Sequence, residues 1–257
     1  MAKILSVNLG SSTLKWRLFE MPDEKQVASG LVDFFGNTKA EITVKYGEKK
    51  AERTFDKKLS LKDAITILMD ELKRLKLVKD LHEIAGVGHR VVAGGEVFKE
   101  SVVITKDILK QIDDLDVFAP LHNHVEVGGS ELFRQLMPWT TQVAVFDSAF
   151  HQTMPEENYL YGIPYDYHEK YGARKYGAHG TSVRYVSKRT AKFLQRPLED
   201  LRLIVMHLGA GSSITAVSKG KSLDTSMGFT PLDGLIMNKR SGQVDASLVM
   251  YLSLIHI

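Results

Sequence analysis

One short phrase occurs twice, and it limits the fold more than any other part of the sequence. Lys3–Glu20 reads KILSVNLGSSTLKWRLFE, and Leu203–Lys219 reads LIVMHLGAGSSITAVSK. Each is an apolar run, a Leu-Gly turn into a Ser-Ser pair, and a return in which apolar and polar residues alternate. That pattern predicts two strands joined by a tight glycine turn. Glycine permits the turn and lets backbone N–H groups approach an anion with no Cβ in the way. Two copies, each able to cradle phosphate, predict duplicated halves facing a nucleotide.

The first copy opens an antiparallel meander, with strands expected at Ile4–Asn8, Leu14–Phe19, Ala28–Phe34, Glu41–Tyr46 and Lys50–Phe55. A helix follows from Leu61 to about Leu75. Ser60 and Asp63 form a capping-box start, and Ala64, Ile65, Leu68, Met69, Leu72 and Leu75 form the apolar stripe. Next come a strand at Ile84–His89, helices near Asp107–Leu115 and His124–Leu136, and a strand at Thr141–Phe146. After Phe150 the order begins again. A Tyr/Pro/Gly-rich connection, Thr153–Gly177, leads to a helix at Ser182–Leu194 and strands at Leu203–His207, Ser213–Val217 and Ser222–Thr225. A last helix is expected at Val244–Tyr251. A meander, then a helix, then a strand–helix–strand suggests one half of a ribonuclease-H-like or actin-like fold, so the expected division is one such N-terminal domain over 1–149 and a second over 150–257. The second half ends before repeating the later helices and strands of the first, so the chain reads as truncated, with its second domain incomplete. The final LSLIHI departs from the helix pattern before it and receives no role.

Composition narrows the chemistry. The 257 residues, 44% hydrophobic and 25% charged, are enough for one large globular domain or two ordinary ones. A net charge of +3, with Lys and Arg scattered, gives no reason to expect a nucleic-acid partner. No cysteine is present, which excludes disulfides, thiolate metal sites and a cysteine nucleophile. No stretch reaches the length of a membrane span and no leader is read at the start, so a cytoplasmic location is expected.

Two familiar phosphate signatures fail. Gly220-Lys221-Ser222 lacks the upstream glycine of a Walker A loop, where Thr215 stands, and Gly209-Ala210-Gly211 does not extend to a dinucleotide fingerprint. Other signals are local. Arg90, in Gly88-His89-Arg90, can grip a carboxylate or phosphate bidentately or simply follow a core strand on the surface. His122 and His124 can form a metal pair or anchor the following helix. Asp147 ends an apolar strand, where it can bind magnesium water, orient a reactant or cap the next segment. His179 sits between glycines ahead of a helix that Thr181 or Ser182 can cap. Arg240 can meet a phosphoryl group or stand in solvent.

Taken in order, these segments resemble the acetate kinase family of the acetate and sugar kinase, Hsc70 and actin superfamily. The runs NLGSSTLKW, GHRVVAGGE, FAPLHN, VAVFDSAFHQTMP, YGAHGTS, HLGAGSSI, DTSMGFTPLDGL and RSGQVD carry the resemblance from Lys3 to about Ser247. It implies an α/β fold made of duplicated ribonuclease-H-like halves around a cleft. It implies ATP-dependent, reversible phosphorylation of acetate to acetyl phosphate, with ATP/ADP as partners, Mg2+ or Mn2+ as cofactor, and a homodimer. Asn8 matches the magnesium-site residue and Lys15 a nucleotide contact. Arg90 and Arg240 match the arginines that hold the carboxylate and the migrating phosphoryl group. Asp147 matches the essential aspartate, and His179 the histidine that stabilises the transition state. His122 lies on the substrate-side loop, and His207, Leu208, Gly209, Ala210 and Gly211 correspond to the segment that wraps the ATP phosphates. Val92, Leu121 and Pro231 match walls of the pocket for the substrate methyl group.

The resemblance also implies later segments beyond residue 257, with an adenosine-contacting loop, a distal glutamate for magnesium and a terminal helix. Without them the chain is expected to be inactive or nearly so and prone to aggregate. Ala93, Ala178 and Ala210 stand where relatives often carry larger or polar residues. If they line the cleft, propionate and other short-chain acids fit as alternatives to acetate. Two further readings stay open. One is a non-catalytic actin-like nucleotide-binding module. The other is a metal hydrolase using His122, His124, Asp147 and His151.

Overall fold

The computed structural model describes residues 2–10, 12–34, 39–116 and 123–255. They divide into two compact units. The first comprises Met1–Val92 and Ser101–Val145, and the second Ala93–Glu100 and Phe146–Ile257.

The first unit is built on a large mixed sheet. Strands β1 (Lys3–Leu9), β2 (Thr13–Glu20), β3 (Lys25–Asp33), β4 (Ala40–Tyr46) and β5 (Lys49–Phe55) form the antiparallel meander. Helix α1 (Leu61–Arg74) follows, then strands β6 (Ile84–Val91) and β7 (Val102–Val103), helices α2 (Lys106–Asp113) and α3 (Asn123–Leu136), and strand β8 (Thr141–Phe146). The strand order is β5-β4-β3-β2-β1-β6-β8-β7, with β6 parallel to β1. The two-residue β7 has too little sequence to announce itself, and the sequence reading passes over it.

Alternation sets the core. Leu5, Val7 and Leu9 of β1 and Leu14, Trp16 and Leu18 of β2 point to one face, where they pack with Ala64, Ile65, Leu68 and Leu72 of α1 and Phe133 of α3. The α1 start is the expected capping box: the Asp63 N–H donates to Ser60 Oγ (3.1 Å), and the Ser60 N–H donates to Asp63 Oδ2 (2.8 Å). Gly129 lets α3 lie close on β1, since a Cβ there would fall 2.1 Å from Leu9 Cδ2.

In the second unit, Thr153–Gly177 is more ordered than a bare connection. It holds helices α4 (Glu156–Tyr159) and α5 (Asp166–Tyr171), too short for a periodic signal. Helix α6 (Gly180–Leu194) leads to strands β9 (Arg202–Leu208), β10 (Ser212–Ser218) and β11 (Lys221–Thr225), an antiparallel sheet in the order β11-β10-β9. The β10–β11 turn places Lys219 and Gly220 in the left-handed region, φ 52° and 76°, as a two-residue hairpin of matching twist requires. Helix α7 (Ala246–Ile255) runs through most of the LSLIHI tail, correcting the expectation that the helical pattern stops at Tyr251.

The repeated phrase therefore forms the same hairpin twice, β1–β2 and β9–β10, with unequal surroundings. In β9 the inward Val205 packs with Val183 of α6 and Val217 of β10. Ile204, Met206 and Leu208, which match the buried Leu5, Val7 and Leu9, are exposed.

Candidate active site

In the first unit Asn8, Lys15 and Arg90 lie on the sheet face away from the core. The β1–β2 register sets Asn8 opposite Lys15. Directly paired residues share a face, so both project into a cavity of about 690 Å3 whose lining also includes Ser6, Arg17, Ser29 and Lys45. The parallel β1–β6 register brings Arg90 beside β1, and its Nη1 donates to Asn8 Oδ1 at 3.4 Å. The neighbouring His89 points the other way, into the core. Its Nε2 meets Gln142 Oε1 at 2.5 Å and its ring packs edge-on against Phe133. Val92 is buried, and its N–H donates to Glu126 Oε2 at 3.0 Å. Leu121 and His122 lie outside the described residues. His124 takes the anchoring role. It is exposed, its N–H donates to Asp116 Oδ1 (3.4 Å), and its ring reaches Asp113 (3.2 Å) beside the end of α2.

In the second unit four candidates converge. Asp147 is 3% exposed. Its Oδ2 accepts the His179 N–H at 3.3 Å and its carbonyl accepts the Gly180 N–H at 2.8 Å. Ser148, not Asp147, occupies the N-cap position of the 3-10 turn Ala149–Thr153, without a side-chain capping bond, and the Asp147 carboxylate serves the start of α6 instead. His179 itself is the N-cap of α6, held at φ 63°, and neither Thr181 nor Ser182 caps the helix. Gly180 is demanded by closeness: a Cβ there would meet the Asp147 carbonyl oxygen at 2.4 Å.

The His179 ring is fixed on two sides. Nδ1 bonds Ser213 Oγ at 2.9 Å, and the ring stacks on His207 with centroids 4.0 Å apart. His207 in turn bonds Ser182 Oγ at 3.0 Å. Arg240 Nη1 donates to the Pro231 carbonyl at 3.2 Å and lies 3.7 Å from Met237 Sδ. Between these groups runs the β9–β10 turn. A Cβ on Gly211 would fall 3.4 Å from His179 Nε2 and 3.8 Å from Arg240 Nη1. Neither Gly209 nor Gly211 needs a left-handed backbone, so bareness and not turn geometry is what Gly211 supplies. Leu208, Gly209 and Ala210 are exposed around it.

Three partners escaped the sequence reading. Ser213 and Ser182 orient the two histidines, and Met237 backs Arg240. The second Ser of the repeated phrase was the available signal for Ser213; the His207–Ser182 pairing joins residues 25 apart, and the Met237–Arg240 contact, though it spans only three residues, follows no periodic pattern. Ala178 does not line an open surface. It is buried with Met227 and Met237, and its carbonyl accepts from His151 Nε2 at 2.9 Å. His151 is fully buried, its Nδ1 meets Ser222 Oγ at 2.9 Å, and desolvation pushes its pKa down, with partial compensation from the Ala178 bond. It is a structural histidine. Glu96 anchors the Ala93–Glu100 segment by accepting from Arg174 Nη1 at 2.6 Å, while the Arg174 guanidinium lies 3.5 Å over the Tyr159 ring.

The donor set bears on a metal. Asp147 offers one buried carboxylate in the second unit and Asn8 one amide oxygen in the first. No group of three or more His, Cys, Asp or Glu among the described residues could hold an ion. Within each unit so sparse a set of oxygen donors fits a magnesium ion held mainly by substrate phosphates.

A family model described as the acetokinase family matches residues 3–255. The chain is 61% identical over 252 residues to the acetate kinase of Lacticaseibacillus paracasei, and 54% identical over 255 residues to that of Lactiplantibacillus plantarum. In both cases 98% of this chain is covered, and it spans 64% of the relative's length. Among solved structures, a propionate kinase from Francisella tularensis superposes with a TM-score of 0.92 at 44% identity, covering 98% of this chain and 64% of that one. Porphyromonas gingivalis acetate kinase gives 0.92 at 39%, covering 100% and 65%. The fold is therefore the actin-like α/β architecture of these kinases. With the match running nearly end to end and the repeated hairpins in place, the chain belongs to the acetokinase family.

Proposed function

We propose that the protein from which this chain comes phosphorylates acetate with ATP, reversibly, to give acetyl phosphate by direct in-line transfer. The observation that carries the reading is the convergence on Gly211 of His179 Nε2 and Arg240 Nη1, beside the buried Asp147. The acceptor is a carboxylate, already ionised because such groups titrate near about 4, so no strong general base is required. The obstacle is bringing one anion against another. Positive and hydrogen-bond-donating groups must converge where charge develops. In this reading Arg240 and His179 serve the migrating phosphoryl group and Arg90 holds the carboxylate. The turn His207–Gly211 wraps the ATP phosphates and Lys15 contacts the nucleotide. Val92 and Pro231, with Leu121 and His122, bound the substrate side.

Mg2+ or Mn2+ would neutralise phosphate charge, with Asn8 as its protein-side contact. Domains 1–149 and 150–257, a homodimer, a cytoplasmic location and a role in acetyl-CoA supply belong to the same proposal. No helix among the described residues is long and apolar enough to cross a membrane. The similarity to a propionate kinase supports a second reading, with propionate or another short-chain acid as acceptor.

The test is acyl phosphate formation from ATP and acetate, propionate or butyrate, trapped as the hydroxamate. It is run on this chain and on a form extended to the length of its relatives. Acetyl hydroxamate from the extended form is expected, with acetate fastest. Preference for propionate selects the second reading, and nucleotide binding without acyl phosphate selects the non-catalytic module.

A further inference from the structure

The second unit contains a cavity of about 210 Å3 that shares no residue with the candidate active site. Lys99, Thr153, Arg184, Ser187, Lys188 and Gly220 are among its lining residues, and no Asp or Glu is. Three positive groups thus face one small space, and none of them forms an ion pair among the described residues. Arg184 and Lys188 stand four apart on α6, where like charges repel. Ser187, between them, is 1% exposed, and its Oγ has no hydrogen-bond partner. A buried hydroxyl is ordinarily satisfied, so this one points to a missing acceptor.

We propose that this cavity binds a small dianion carrying a phosphate group, as inorganic phosphate or a short phosphate monoester. Arg184, Lys188 and Lys99 supply the charge and Ser187 a donor to a phosphate oxygen. The volume lies below the roughly 300–1,000 Å3 of pockets that enclose larger ligands, which favours a phosphate with few further atoms over a nucleotide. The bound group would grip the helix that begins at His179 and the Ala149–Thr153 turn that follows Asp147. A ligand here therefore has a route to the candidate active site.

Phosphate also suits the β9–β10 turn, so the test must separate the two places. Thermal shift and calorimetric titration with inorganic phosphate and with glycerol phosphate, at constant ionic strength, are applied to the full chain. Two variants go beside it: His179→Ala and the double variant Arg184→Glu with Lys188→Glu. Stabilisation by phosphate is expected to persist in His179→Ala and to fall at least ten-fold in apparent affinity in the double variant. If the double variant folds poorly by circular dichroism, Lys99→Glu replaces it. Tighter binding of glycerol phosphate identifies an ester as the ligand, and equal binding identifies free phosphate. An unchanged response in the charge-reversed variant, a response lost only in His179→Ala, or no response in the parent chain overturns the proposal.

Discussion

The rings of His179 and His207 stack with centroids 4.0 Å apart and planes 22° apart. Each ring is also tied by its Nδ1 to a serine, Ser213 for His179 and Ser182 for His207. His179 therefore presents Nε2 toward Gly211 from a fixed ring, and a fixed donor does not have to be reoriented as charge develops. Removing the Ser213 hydroxyl should loosen that aim without touching the substrate. Ser213→Ala in the extended form is expected to lower kcat about 10- to 100-fold, since small misplacements cost that much, with KM little changed. A hydroxyl kept through Ser213→Thr should preserve part of the rate lost in Ser213→Ala. A KM change with kcat intact would mean that Ser213 contacts substrate and does not act through His179.

Arg240 is braced by the Pro231 carbonyl and Arg90 by the Asn8 side chain, so neither needs substrate to find its place. Both stand on half-buried positions, where truncation leaves the apolar core untouched. Arg90→Ala and Arg240→Ala are each expected to reduce phosphoryl transfer by about 10³-fold or more, the scale of losing an arginine at a phosphoryl transition state. Circular dichroism and melting should stay near the parent's. Near-normal transfer by both variants would sink the assignment of these arginines.

Gly180 is the point at which α6 meets Asp147. Alanine gains helix propensity, at most about 1 kcal/mol, yet its Cβ would sit 2.4 Å from a backbone oxygen that cannot swing aside. Overpacking of that kind costs about 1–3 kcal/mol, so the steric term wins. Gly180→Ala is expected to lower Tm by a few degrees and to weaken nucleotide binding by moving His179. A rise in Tm would show that the Asp147 loop yields.

How far the sequence could be read follows the range of the interactions involved. Alternation and a capping box are local, so the five-strand meander and the Ser60 start of α1 were legible to within a few residues. Arg90, Asp147, His179 and Arg240 carried local signals with equally good structural readings, and only the family's motifs gave them catalytic roles. Nothing local to His179 announces a ring stacked on His207, because that contact joins a helix N-cap to a strand in the sheet. The repeated phrase misleads in one respect. It predicts equal hairpins, whereas burial of Leu5, Val7 and Leu9 against exposure of Ile204, Met206 and Leu208 depends on what packs outside the phrase. Short elements such as β7, α4 and α5 lack the length for a periodic signal.

His89 shows how the core beside Arg90 should respond to acid. Its ring is 4% exposed, and desolvation pulls its pKa down to about 4 from 6.5, against an opposing contribution from the Gln142 bond. In the folded protein the ring stays neutral, while in the unfolded chain it takes a proton as pH falls through about 6.5. The unfolded state therefore binds more protons between those values, and stability falls as pH drops through that window. It is fully present above it. Between pH 7.5 and pH 5 this one group should remove about 2 kcal/mol. His89→Gln keeps a neutral amide near Gln142 and cannot titrate. It is expected to be less stable than the parent at pH 7.5 through poorer packing against Phe133, yet to lose much less on going to pH 5. Urea midpoints at pH 5, 6 and 7.5 measure the difference, and parallel pH profiles for the two proteins would show that some other group carries the acid sensitivity.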